Sequence, residues 1–311
     1  MGSHRLARAG GYVVVIGSVL APAAGGATVA TFDGGNDTTN GGTATPAPDT
    51  FRGTAGGGWQ AAWTTAGTIA GSVTNTTPVD GGGNYLVATS AGTTAAATGA
   101  WSRKYGGATD PAVSLGARHT ISWTMRIDES AASLTSNFTN GADRYQAFGD
   151  ATALSTTATS NEWLVGAFGA DPATSTPGFV AKRWEFYNAS ATTNAFTSGA
   201  LVDSGIALTS GATYRFTITT DPATKTYVGS VTDLANPGAT FTSGTLNWRT
   251  ASTNTTGLAG GVLEFGNSGN AAGETRAFSL DGVQVVPEPA AAGLLAGAVG
   301  IAAAGRRRRR R

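Results

Sequence analysis

The sequence predicts an all-β protein, an antiparallel β-sandwich of the jelly-roll kind with one apolar helix at each end of the chain. Three observations predict it. Apolar residues in the middle of the chain recur at every second position, the period of a half-buried strand. Clusters of Gly, Asn, Asp and Pro separate these runs at short intervals. No stretch between them carries the 3.6-residue period of a crossover helix, and Lys and Glu, the usual surface residues of long helices, are scarce.

From the N-terminus, His4, Arg5 and Arg8 form a positive lead, 12–20 (YVVVIGSVL) is a short apolar run, and small residues follow with cleavable positions up to Ala30. That order is the grammar of a secretory signal, assigned to 1–30. A first β-strand behind a tag-like Gly2-Ser3-His4 is the alternative. Residues 33–48, rich in Gly, Thr, Asn and Pro, read as an entry loop. Gly81-Gly82-Gly83-Asn84 is a turn before a strand at Tyr85. Along 120–127 the residues Ile121, Trp123, Met125 and Ile127 fall on one face, with Ser, Thr and Arg among those opposite. Trp184 and Phe186 share a face, as do Tyr214, Phe216 and Ile218. Asp221-Pro222 favours a type I turn joining 214–219 to 226–232 as a hairpin. Phe278 and Leu280 change phase to Val283 and Val285 across Asp281-Gly282, the mark of a bulge or tight turn. Ten to twelve strands are expected in total, with starts near 101, 145, 163, 206, 241 and 262 as well. No linker divides 31–286, which reads as one domain.

Residues 287–311 form a distinct tail. Pro287, Glu288 and Pro289 follow the last strand, and 290–305 is a run of 16 residues without charge. As a helix it would span about 24 Å, a little short of a bilayer core of about 30 Å. Arg306, Arg307, Arg308, Arg309, Arg310 and Arg311 close the chain. A basic cluster after an apolar segment stays on the cytoplasmic side, which puts the body on the far side. This order resembles the PEP-CTERM sorting signal of Gram-negative bacteria. The resemblance implies export to the cell surface or exterior, transient inner-membrane anchoring through the C-terminal helix, and processing by an exosortase-like membrane enzyme. It also implies an association with exopolysaccharide or biofilm. It covers about 25 residues and is silent about the body.

The body resembles concanavalin-A-like or carbohydrate-binding jelly rolls, on the strand at 118–127, the hairpin at 214–227 and the last strand ending Phe-Ser-Leu-Asp-Gly-Val-Gln-Val. That architecture hosts lectins, glycosidases and structural modules alike.

Charge and composition narrow the chemistry. Eight of the 20 basic residues lie at the chain ends, whereas all 19 acidic residues lie within 31–289, leaving the body at a formal −7. An acidic body is a poor partner for a phosphate backbone, so nucleic acid is excluded. With 0 Cys there is no disulfide, thiolate nucleophile or Cys-bound zinc. His119 is the one His outside the signal, a lone base at a strand start. Glu162, Glu185 and Glu264 each adjoin aromatics and are the carboxylates a glycosidase would draw on, though outward-facing strand carboxylates are the simpler reading. The Glu-x-Asp-x-x-Glu strand signature of one jelly-roll glycosidase family is missing. Trp59, Trp63, Trp101 and Trp248 are the candidates for stacking on sugar, against the alternative that they fill a core poor in Leu and Ile. No cofactor is implied; calcium would suit the Asp- and Asn-rich loops, but no Asp-x-Asp-x-Asp-Gly loop is present. The expectation is a non-catalytic surface or matrix protein with weak affinity for glycan. A secreted polysaccharide-active enzyme is the alternative.

Overall fold

The structure is a computed structural model that describes residues 28–30, 32, 59, 63–91, 98–105, 117–149, 162–172, 176–189, 200–248, 261–269 and 274–288. All of them belong to one compact unit, Gly25–Glu288. The helices expected at the two ends, Pro289 and Arg306 to Arg311 lie outside the described residues. Among those described, no helix is long and apolar enough to cross a membrane.

The strands are β1 (Thr28–Ala30), β2 (Thr64–Gly67), β3 (Ile69–Thr74), β4 (Tyr85–Ala91), β5 (Thr98–Tyr105) and β6 (His119–Ile127). After the short helix α1 (Ala131–Ser136) come β7 (Arg144–Gly149), β8 (Trp163–Phe168), β9 (Arg183–Asn188), β10 (Ala200–Ala207) and β11 (Thr213–Asp221). The chain continues through β12 (Thr226–Asp233), β13 (Thr240–Thr242), β14 (Leu246–Asn247), β15 (Gly261–Ser268) and β16 (Thr275–Pro287). They form two antiparallel sheets. The nine-stranded sheet runs β13-β12-β11-β6-β16-β4-β3, with β1 beside β16 and β14 beside β12; the seven-stranded sheet runs β10-β9-β8-β7-β15-β5-β2. The chain is an antiparallel β-sandwich, as its periodicity predicts.

Local chemistry accounts for the landmarks. In the β11–β12 hairpin, Asp221 Oδ1 accepts the amide of Ala223 at 3.0 Å, and Lys225 closes the turn at φ 53°. The two strands expected around Asp281-Gly282 are one strand, β16, whose register against β6 shifts between Asp281 and Gln284. Gly282 takes φ 58° there, a conformation natural to glycine. Ser130 caps α1 by accepting the amide of Ser133. Five elements lie beyond the sequence expectations, among them the short helix α1 and the two-residue strand β14. β2 is built from Thr, Ala and Gly, β3 buries only Ile69 and Val73 with Gly71 between them on the same face, and β1 sits inside the segment assigned to the N-terminal signal.

The core is a stack of aromatics between the sheets. Trp123 lies against Phe216 at 5.0 Å, Trp163 at 5.7 Å and Phe265 at 5.4 Å between centroids, and Trp184 meets Phe216 edge-on at 4.8 Å. Such pairs contribute about 0.5–1.5 kcal/mol each beyond the area they bury. Glycines make room for them. A Cβ on Gly149 would stand 2.2 Å from Trp163 Cζ2, and one on Gly71 2.7 Å from Trp101 Cζ2. The large glycine content is thus partly a packing device, giving the indoles a flat backbone to lie on.

One end of the sandwich is closed by a buried ionic knot. Arg276 of β16 is fully buried and pairs with Glu129, with Asp143 at 3.2 Å and with Glu274 at 3.3 Å. Its Nη2 also donates to Asn137 O at 2.9 Å. Tyr145 of β7 donates to Glu129 Oε2 at 2.6 Å. Burial and the neighbouring Glu129 carboxylate push the Tyr145 phenol well above its ordinary value, so it holds its proton. The knot ties β16 of the nine-stranded sheet to β7 of the other.

Candidate functional site

The face of the seven-stranded sheet turned away from the core carries buried polar and charged groups among small residues. On β7, β8 and β9 the residues Tyr145, Trp163 and Trp184 point into the core; the alternation of a strand then turns Arg144, Gln146, Leu164, Gly166 and Glu185 outward. Cross-strand register aligns Gly166, Gln146, Gly266 and Ala100 in one row. Three of its four residues are Gly or Ala and all four are buried; the row crosses four strands, about 14 Å at ~4.8 Å per strand, and the Phe168 ring lies over Gly166, 3.0 Å from where its Cβ would stand. Phe148, Glu264 and Ser102 stand along one side; Arg144 and Ser268 stand along the other. Gly266 cannot be larger, because a Cβ would come 2.9 Å from Gly99 O of the neighbouring strand.

The row ends at two directly opposed carboxylic acids, Glu185 of β9 and Asp203 of β10. Directly opposite residues hold their Cβ atoms about 5 Å apart. Asp203 accepts from Arg183 Nη1 at 2.8 Å and from the Gly205 amide at 2.8 Å. Glu185 is fully buried, and its Oε1 accepts the amide of Val180 at 2.5 Å. Among the described residues its Oε2 has no hydrogen-bond partner. Burial is the main cause that pushes the Glu185 carboxyl up to about 8; the charges of Asp203 and Asp171 add to it, while the Val180 amide and Arg183 oppose it. Glu185 is therefore protonated at neutral pH beside Asp203, whose carboxylate Arg183 holds. The segment 176–182 lies over this end, with Phe179 packed against the cluster of Phe148, Leu164, Tyr187 and Leu201. Gln146, Glu185 and Glu264 at the centre are buried, and Lys104, Arg144, Arg183 and Asp203 form a half-buried rim. Desolvation lowers the Arg144 guanidinium from its ordinary value, and among the described residues its buried Nε has no hydrogen-bond partner.

Comparison with known proteins adds architecture. No family model and no curated protein matches the chain. Among solved structures, it is similar to peanut lectin, at 13% identity, a TM-score of 0.41, and coverage of 73% of this chain and 100% of that one. Lectin I from Ulex europaeus, in complex with the methyl glycoside of α-L-fucose, aligns at 13% identity and TM-score 0.45 over 72% of this chain and 92% of its own. The alginate lyase Aly36B, in complex with alginate tetrasaccharide, aligns at 9% identity and TM-score 0.45 over 85% and 98%. Likeness at this level is a likeness of β-sandwiches and assigns no ligand to this chain.

The four tryptophans expected to meet sugar lie in the core, none more than 3% exposed. Trp59 and Trp63 pack 6.1 Å apart with the Arg103 guanidinium 4.6 Å from the first and 5.6 Å from the second. Trp101 lies on Gly71, and Trp248 Nε1 donates to Thr226 O at 3.1 Å. In a chain short of Leu and Ile their large rings supply core volume, so none offers an open face. The carboxylates sort differently. Glu185 and Glu264 share the outer face but stand three strands apart, about 14 Å, beyond the roughly 5–9.5 Å of a glycosidase pair. Glu162 precedes β8 and is buried. Sequence reasoning missed Asp203, which has no aromatic neighbour in sequence; only the β9–β10 register brings it opposite Glu185.

His119 is buried beside the chain's exit. Its Nδ1 lies 2.9 Å from Ala117 O and its Nε2 3.2 Å from Tyr105 OH, and desolvation lowers its pKa, keeping it neutral. Of the sorting motif, Pro287 is the last residue of β16 and pairs in register with His119. Glu288 donates its amide to Arg118 O at 3.1 Å and its carboxylate lies 3.1 Å from Arg118 Nε. Among the described residues, no group of three or more His, Asp or Glu is arranged to hold a metal ion.

Proposed function

We propose that the chain is an exported surface or matrix protein of a Gram-negative bacterium whose sandwich binds a polysaccharide along the outer face of the seven-stranded sheet. The observation that carries the binding reading is the row of small residues Gly166–Gln146–Gly266–Ala100, which holds one amide and is bordered by Phe148 and by hydroxyl and charged side chains. A strip one residue wide with polar groups on both sides suits an extended, hydroxyl-rich chain, which hydrogen-bonds to both sides while its ring faces meet the small residues. The half-buried rim is where such a chain first meets the protein. The export reading rests on the positive lead, the apolar runs and the terminal arginines, with an exosortase-like enzyme as processing partner and exopolysaccharide as ligand. Titration calorimetry of the protein against a panel of bacterial exopolysaccharides tests it. Binding that Gln146→Ala weakens at least tenfold supports the reading; equal binding by both proteins, or none by either, refutes it.

One observation favours a second reading, a polysaccharide-active enzyme. A protonated Glu185 directly opposite Asp203 is the split pair that glycoside cleavage needs, one acid to protonate the leaving oxygen and one carboxylate to act on the ring carbon or on water. A reducing-end assay on the same panel decides it: release of product that is lost in both Glu185→Gln and Asp203→Asn makes the protein an enzyme, and no release leaves binding as its role.

A further inference from the structure

We infer that the mature protein retains Thr28–Ala30, so that removal of the leader cuts at or before the Ala27–Thr28 bond. The inference rests on the export reading above and sharpens it. Small residues in the sequence permit several cuts up to Ala30, among them after Ala23, after Ala27 and after Ala30. The fold distinguishes them. β1 pairs antiparallel with the second half of β16, Thr28 with Val285, Val29 with Gln284 and Ala30 with Val283. On that side of β16 the neighbouring strand β4 pairs only with Thr275 to Leu280, so β1 carries the ladder on where β4 stops. Ala30, Val283 and Val285 are fully buried. A cut after Ala30 would strip three residues of β16 of their partners on this side, next to a buried apolar surface.

The residue beyond β1 makes a late cut costlier still. Phe32 is fully buried, stacks on Trp63 at 5.9 Å between centroids, and its carbonyl accepts from Asn84 Nδ2 at 3.0 Å. Phe32 holds φ 57°, a left-handed conformation that an aromatic residue keeps only where packing imposes it. A cut after Ala30 would leave this fully buried ring one residue from a free chain end, without the β1 ladder that leads into it. Cuts after Ala23 or Ala27 place the new chain end before the first ladder pair.

The test is N-terminal sequencing of the full chain, leader and tail included, recovered from the periplasm or medium of a Gram-negative producer. A mature N-terminus at or before Thr28 is expected. An N-terminus at Val29 or later overturns the inference while leaving export standing. An intact Met1 on cytosolic protein refutes the export reading instead. In that event a second measurement decides the role of β1: chains beginning at Ala24 and at Thr31, both running to Arg311, are melted side by side. The shorter chain is expected to melt at a clearly lower temperature, and equal midpoints overturn the inference.

Discussion

Replacing Arg276 with Met tests whether the buried knot holds the two sheets together at that end of the sandwich. Met preserves much of the side-chain length and removes the charge. The guanidinium it removes is fully buried and serves Glu129, Asp143 and Glu274 together with the carbonyl of Asn137. It also lies 5.2 Å from the Phe138 ring. Glu129 and Asp143 keep partners in Tyr145 and in the Thr139 and Asn140 amides, so their hydrogen bonding is only partly lost. What is lost is the guanidinium that pairs with all three carboxylates. Leaving buried charge without its counter-ion costs about 3–5 kcal/mol. For a domain of 150–250 residues each kcal/mol moves the midpoint by roughly 2–4 °C, so a fall of about 10 °C is expected. Thermal unfolding followed by tryptophan fluorescence, with urea melts for the free energy, gives both numbers. A loss below about 1 kcal/mol would show that the knot is replaceable and refute this account of the closed end.

Three further outcomes follow from the same structure. Glu185 has a folded value near 8 against an ordinary 4.5, so between these values the unfolded chain binds fewer protons than the folded one. Stability therefore falls as pH rises from 4.5 to 8 and levels off above; Glu185→Gln should flatten that slope in melts at pH 4–9, and an unchanged slope would contradict the assignment. Gly149→Ala should destabilise by about 1–3 kcal/mol through overpacking, since its Cβ would meet Trp163 at 2.2 Å; urea melts check it. Arg118→Ala removes an ion pair whose side chains are 55% and 38% exposed. It should cost less than about 1 kcal/mol, with a midpoint shift small beside that of Arg276→Met.

The sandwich itself was legible because its strands are half-buried and a half-buried strand writes its inward face at every second residue. The lines through Ile121, Trp123, Met125 and Ile127, and through Tyr214, Phe216 and Ile218, are core lines in the structure. So was the change of phase at Asp281-Gly282. β2 and β3 were not legible, because glycines such as Gly71 are chosen there for the aromatic ring they accommodate, and that ring lies far away in sequence. The site shows the same division. The aromatic-flanked Glu185 was visible in the sequence, but its partner Asp203 was not, and the tryptophans marked for sugar went to the core. Composition and period are properties of neighbours along the chain, and they determined the class of fold and the polarity of each strand face. Which carboxylate opposes which, which ring a glycine must admit and where the first strand begins depend on register between strands distant in sequence, and only the folded chain sets that.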